Sequence, residues 1–354
     1  MMKQKIKKII KFPSLKNKIT EDKKSCHDEE KQIFKVLRFL KVFLITSFVS
    51  ILLIMVGFYS YLRIFNPLDK LGHEIINNPE FDDFNNTEDN PNATPFERAI
   101  KDSSRVNVLV VGLEHVRTDT IMLASYDRKN KVANLISIPR DTFYERDGYY
   151  GDGLKINAIY QSEDVDGLID AVESLTKIPV HRYVLVDYEA VIKGIDALGG
   201  VEIDVPFHMI DSDPYENPPR YINIPAGRQT LYGEDSLKFL RYRKGYFNGD
   251  IGRINAQQQF VKETIKKLLS LRLPNFIKEV YPYISTDFLI TELIALASES
   301  IGFTMDNLNT DILPGEDRYI GKLSFFIPNY EEALQLTYTM YGVIEENSET
   351  SENE

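Results

Sequence analysis

RVNVLVVGLEHVRTDTIMLASYDRKNKVANLISIPRDT, residues Arg105 to Thr142, contains three β-rich runs: Val106–Val111, Thr120–Tyr126 and Val132–Ile138. β-Branched and apolar residues dominate each run, and turn chemistry separates them. Glu114, Arg117, Asp119, Arg140 and Asp141 lie at the run ends. An apolar sheet with charge at its rim predicts a buried core that presents a polar site at the strand ends. Arginines and carboxylates gathered there are the ingredients for holding a phosphate group through guanidinium and metal.

Downstream of this stretch the patterns alternate. Leu154–Gln161 and Asp164–Lys177 read as helices; in the second, Leu168, Ile169, Val172 and Leu175 recur at helical spacing. Arg182–Asp187 reads as a strand, Tyr188–Leu198 as a helix closed by Gly199-Gly200, and Val201–Val205 as another strand. This alternation predicts an α/β fold, layered about a central sheet. Met209–Pro225, rich in Pro, Asp and Asn, reads as an exposed loop. Further helices are expected over Gly233–Leu240, Ile251–Leu271, Leu273–Tyr283, Phe288–Ile301 and Tyr330–Tyr341, with late strands at Leu308–Leu313 and Ser324–Ile327.

Upstream, Val42–Leu62 has no charged residue in 21 positions. At 1.5 Å per residue it spans roughly 32 Å, which matches a bilayer core of about 30 Å. Lys41 and Arg63 bracket it. A cleaved signal peptide is the competing reading, but the run is long, begins late and has no small-x-small site after it. Residues 1–41 carry thirteen basic and five acidic side chains, a net +8, whereas the rest carries 29 basic and 48 acidic, a net −19. The positive-inside rule therefore predicts a cytoplasmic segment over 1–41, a membrane helix over 42–62 and everything after it outside. Residues 63–104, with pairs such as Asn-Pro and Thr-Pro, read as an irregular stem, 105–344 as the folded domain and 345–354 as an acidic disordered tail. The acidic outer part argues against nucleic acid or any general polyanion as partner. The sole cysteine, Cys26, lies in the basic segment, so the outer domain stands on its core without a disulfide.

The downstream arginines cluster too. Arg241 and Arg243 stand at i and i+2 where a helix gives way to Lys244-Gly245, and an extended backbone there would put both on one face. Asp250, Arg253 and Gln257 follow within one helix, the last two at i and i+4. Taken singly, each charge is also what a solvated ion pair worth about 0–1 kcal/mol looks like.

The ordered blocks VLVVGL, RTDTIMLASYD, ISIPRDT, KINAIY, RYVLVDYEAVIKGIDALGGVEIDVP and FLRYRKG…GDIGRINAQQQF together resemble the LytR-CpsA-Psr family of envelope proteins over roughly Arg105 to Leu269. The resemblance implies a three-layer α/β/α domain with a central mixed sheet and an apolar pocket for a polyprenyl chain. It implies a membrane-anchored transferase that moves a glycopolymer such as teichoic acid or capsule from polyprenyl pyrophosphate onto peptidoglycan. A non-catalytic scaffold that binds polyprenyl-linked glycan is the alternative. Carried over by motif position, Arg117, Asp119, Arg140, Arg241, Arg243 and Arg253 are the expected catalytic residues. Arg140, Lys155, Arg241, Arg243, Asp250, Arg253 and Gln257 are expected to hold the substrate, and Asp119 with Glu114 to hold Mg2+, or Mn2+ in its place. Two positions depart from the family's usual pattern: Gly112-Leu113-Glu114 has Glu in place of Asp, and Ala256 stands where a second arginine is common.

The topology has a direct check. An impermeant thiol reagent added to intact protoplasts is expected to leave Cys26 unlabelled while added protease removes the outer domain; labelling of Cys26 in sealed cells would reverse the orientation.

Overall fold

The structure is a computed structural model, and it describes residues 37–57, 60, 68, 93–114, 116–215, 219–269 and 273–343. The basic segment up to residue 36, most of the expected stem and the acidic tail lie outside the described residues, as does His115. The chain divides after Phe65 into two units. In the first, Leu37–Gly57 forms a 21-residue helix of mean hydropathy 2.5, long and apolar enough to cross a membrane. It begins five residues earlier than the uncharged stretch, because Leu37, Arg38, Phe39, Leu40 and Lys41 continue its helical pattern.

The second unit is organised on a mixed six-stranded sheet. Helix α1 (Pro95–Lys101) leads into it, closed at its start by Thr94 and Glu97 in a reciprocal capping box. Strands β1 (Arg105–Glu114), β2 (Arg117–Asp127) and β3 (Val132–Ile138) form an antiparallel meander. Helix α2 (Ile159–Thr176) leads to β4 (Arg182–Val186), which pairs parallel with β1. Helix α3 (Tyr188–Ala197) follows, its start capped by the Asp187 carboxylate accepting from the Ala190 amide. Next come β5 (Val201–Val205), β6 (Met209–Asp213), β7 (Arg220–Ile224) and β8 (Gly227–Leu231), paired β5 with β8 and β6 with β7 as two antiparallel ribbons. Helices α4 (Gly233–Arg241), α5 (Gly249–Leu268) and α6 (Leu273–Val280) precede the short β9 (Ser285–Thr286) and helix α7 (Ile290–Glu299). Strand β10 (Leu308–Ile312), a hairpin of β11 (Gly315–Ile320) and β12 (Leu323–Pro328), and helix α8 (Tyr330–Tyr341) complete it. The central order is β10-β3-β2-β1-β4-β9.

Period-two alternation along β1 builds the layers. Leu109 and Val111 pack on one face against Leu168, Ile169 and Val172 of α2 and Ala333 of α8. Val106 and Val108 point to the other face, against Phe288, Ala295 and Leu296. A separate cluster under α3 to α5 joins Ile203, Ile222, Ile224, Phe239 and Phe260. The expected α/β fold with a central mixed sheet is therefore present.

Three expectations change. Met209–Pro225 is not a loop but the β6–β7 ribbon, because Met209, Asp211, Ile222 and Ile224 alternate inward beneath a polar composition. Three further strands, β8, β9 and β11, are not expected from the sequence; β9 is only two residues long, and every residue of β11 is exposed, so it carries no hydrophobic pattern to find. The expected helix Leu154–Gln161 is mostly two 3-10 turns, Gly151–Leu154 and Ile156–Ala158, that run into α2, and α2 itself is broken at Asp164, whose φ of 59° and ψ of −160° interrupt the helical geometry.

An apolar trough of about 300 Å³ lies among α5, α6, α7 and Tyr126 of β2, lined by Ile265, Leu268, Leu269, Phe276, Leu293 and Leu296 among others. Ile265, Leu268 and Leu269 come from α5 and its C-cap, whose Phe260 packs in the core. Leu109, fully buried at the centre of the sheet, offers a test of the core: Leu109→Ala is expected to cost about 2–5 kcal/mol, read as a lower urea midpoint with unchanged slope.

Candidate active site

A β-bulge sets the site. In the β1–β2 register Gly112 faces Thr120 and Leu113 faces Thr118, which leaves Asp119 as the extra residue. A bulge re-aims its side chain out of strict alternation. The antiparallel β2–β3 register ends with Ile121 opposite Ile138. Carried two residues further, that register brings Arg140 to Asp119, and Arg140 Nη1 donates to Asp119 Oδ1 at 2.8 Å.

The other arginines arrive from α4. Its C-cap, Tyr242, has φ −69° and ψ 129°, so the chain turns extended right after Arg241. Arg241 and Arg243 then share a face, as their i, i+2 spacing allows. Arg241 Nη2 donates to Glu114 Oε1 at 2.9 Å. Arg243 Nη2 donates to both Glu114 Oε2, at 3.2 Å, and Asp119 Oδ2, at 2.6 Å. One nitrogen thus sits between two carboxylates. Aromatic packing of Phe207 with Tyr242 and Tyr246 holds the segment that follows α4. Gly245 passes beneath Phe207 at φ +84°, where an added Cβ would meet the ring at 3.2 Å.

Asp250 and Arg253, one turn apart at the start of α5, form a second pair at 2.8 Å. Arg253 is 2% exposed. Burial lowers the pKa of its guanidinium and raises that of the Asp250 carboxyl. Three buried atoms here, Arg140 Nε, Arg253 Nε and Asp250 Oδ2, have no hydrogen-bond partner among the described residues. Leaving such a group unmet costs about 1–3 kcal/mol, more when it is charged. Two unmet guanidinium donors beside a rim of arginines suit an oxyanion.

The remaining expected residues are placed differently. Gln257 is buried and donates to the Leu240 carbonyl at 3.3 Å, so it steadies the end of α4 just before Arg241. Lys155 bridges Asp141 and Asp152 at 3.2 and 3.0 Å. Arg117 is exposed at the start of β2 and makes no ion pair among the described residues. Sequence reasoning gave no site role to Tyr188, at the start of α3. Its ring lies 4.4 Å from the Arg241 guanidinium. The available signal was its position, the first helical residue after a strand that runs parallel to β1.

Among the described residues no cluster of three or more His, Cys, Asp or Glu has the arrangement of a metal site. Magnesium, however, takes one or two carboxylates and fills its octahedron with water and substrate phosphate. Glu114 and Asp119, hard oxygen donors that already share one cationic nitrogen, fit that pattern.

The chain belongs to the LytR_cpsA_psr family, whose sequence model matches residues 72–342. Among its relatives is TagV of Bacillus subtilis (strain 168), named a polyisoprenyl-teichoic acid–peptidoglycan teichoic acid transferase. It is 29% identical over 259 residues, which cover 69% of this chain and 66% of the relative. The TagU of Oceanobacillus iheyensis, which bears the same description, is 27% identical over 70% of this chain and 78% of its own length. The crystal structure of B. subtilis TagV superposes with a TM-score of 0.59 at 29% identity, covering 68% of this chain and 98% of that one.

The charge network has a pH signature. Burial alone would raise the Glu114 pKa, but the Arg241 and Arg243 guanidiniums beside it outweigh that and hold the group at about 2, below the ordinary 4.5. A depressed carboxylate stabilises the fold fully above its unfolded pKa and loses that contribution as pH falls. Wild type is therefore expected to lose stability relative to Glu114→Gln between pH 4.5 and about 2, measured by thermal unfolding of both proteins across that range.

Proposed function

We propose that this domain transfers a glycopolymer from a polyprenyl pyrophosphate carrier to peptidoglycan, anchored by its N-terminal helix with the domain outside the cell membrane. The observation that carries the reading is the pair of buried, unmet guanidinium donors of Arg140 and Arg253 beside Arg241 and Arg243. Family membership and the transferase names of TagV and TagU support it.

In this reading the arginines grip the pyrophosphate. Guanidiniums keep their charge and bind oxygens in a planar fork, which suits both the bound diester and the charge that moves to the leaving group. The apolar trough takes carrier chain. Its lining residue Ile265 and Arg253 belong to the same helix, twelve residues and so roughly 18 Å apart. Glu114 and Asp119 would hold Mg2+, or Mn2+, which supplies Lewis-acid neutralisation of phosphate oxygens when bound.

An acceptor hydroxyl attacks the sugar-side phosphorus; the bond to the polyprenyl phosphate breaks, and that group leaves with the electron pair. The hydroxyl proton needs an acceptor. Asp119 is poorly suited, since both its oxygens are held by arginines. Asp250 is better suited: Oδ2 carries no bond among the described residues and burial raises its pKa, which makes it a stronger base than an ordinary aspartate. Positioning and electrostatics supply most of what phosphoryl transfer requires of a protein.

The test measures transfer of a labelled pyrophosphate-linked glycan to peptidoglycan oligomers, with binding of the same lipid in parallel. Arg241→Ala is expected to weaken lipid binding by about 1.5–3 kcal/mol, and Arg241→Lys to restore little of it. Asp119→Asn is expected to retain lipid yet lose turnover by orders of magnitude, together with Mn2+ binding seen by electron paramagnetic resonance. Intact transfer by Asp119→Asn, or no transfer by wild type from any such donor, would leave only the binding scaffold.

A further inference from the structure

The β6–β7 ribbon has an outward face that neither the fold nor the arginine cluster uses. Its register sets Ile210 opposite Asn223 and Ser212 opposite Tyr221, and all four are exposed. Ile210 and Tyr221 are each 61% exposed, adjacent apolar surface on an otherwise polar ribbon. His208 Nε2 bonds Asn223 Oδ1 at 2.7 Å. That bond fixes the amide with its two N–H donors free to face outward. Among the described residues the face carries no formal charge, in a chain where 27% of residues are charged.

The ribbon is also tied to the site. Buried Asp211, on its inner face, takes ion pairs from Arg220 and from Lys244, the residue after Arg243. Phe207, just before the ribbon, packs against Tyr242 at a tilt and against Tyr246 edge-on. Two independent contacts thus hold this platform rigidly to the segment bearing the phosphate-gripping arginines.

We propose that this face docks a sugar ring of the acceptor, an uncharged N-acetylhexosamine strand, and so presents its hydroxyl to the arginine site. An aromatic plane flanked by a fixed amide and a hydroxyl suits a polyhydroxyl ring: the ring's apolar side stacks on Tyr221, and its hydroxyl and acetamido groups meet Asn223 and Ser212. The lack of any cation among the face's described residues disfavours a phosphate-bearing polymer there, which points to the acceptor and not the donor. The inference rests on the transfer reading for its role, but its binding test does not.

The experiment uses the full chain in detergent and two probes, chitotetraose and a glycerol phosphate oligomer, with affinities from calorimetry and polyprenyl pyrophosphate binding run alongside. Tyr221→Ala is expected to weaken chitotetraose about tenfold, Tyr221→Phe to stay close to wild type, and polyprenyl pyrophosphate binding to be unchanged in both. Sugar binding that depends on Tyr221 upholds the platform even if transfer is never observed. The proposal is overturned if wild type does not bind chitotetraose, if Tyr221→Ala binds it equally well, or if only the glycerol phosphate oligomer depends on Tyr221. A change of Tyr221→Ala from dimer to monomer in sedimentation would overturn it as well, by assigning the face to a second copy.

Discussion

Arg243 Nη2 lies between the carboxylates of Glu114 and Asp119, and the geometry of the site depends on that one nitrogen. Two carboxylates set this close repel unless a cation separates them. Arginine supplies the cation from the protein's own chain and also brings its planar fork to the rim. The same contact fastens the segment after α4 to the β1–β2 hairpin. Arg241 and Arg140 then complete a row in which each carboxylate is held from two sides. A metal ion entering this pair would have to displace guanidinium nitrogen from carboxylate oxygen. Arg243, just after α4, is more exposed than Arg241, 40% against 16%, and so is the one that a phosphate from solvent reaches more easily.

Much of the fold was legible because the sheet's hydrophobic pattern is strong. The runs at Val106, Thr120 and Val132 became β1 to β3, and helical spacing in Leu168 to Leu175 became the face of α2 that covers them. Where composition hides the pattern, reading failed. In Met209–Pro225 polar residues stand on the outward positions of two short strands, and Asp211 occupies an inward one. Its buried carboxylate is acceptable there only because Arg220 and Lys244, neither adjacent to it in sequence, neutralise it.

The site was legible in its residue types and less so in its assignments. Spacing placed Arg241 and Arg243 on one face, and that face meets Glu114. It could not show the bulge that turns Asp119 inward, since a bulge is a property of two strands and not of one. Gln257 and Arg253 share a helix face, yet the first meets a backbone carbonyl and the second a carboxylate. Tyr188 escaped notice because an aromatic residue at a helix start reads as ordinary packing.

The pairs that build the site join residues far apart along the chain: Glu114 and Arg241 are 127 positions apart, and Asp119 and Arg243 are 124. Contacts of such separation close large loops and belong late in folding, after the local meander of β1 to β3 has formed. The hairpin carboxylates are therefore assembled first: Asp119 already has Arg140 from the end of β3, while Glu114 waits for Arg241 and Arg243. A chain that has emerged only as far as β8 holds Arg140 but neither Arg241 nor Arg243, so half a cradle, and competence for anionic ligands is complete only once α4 has docked.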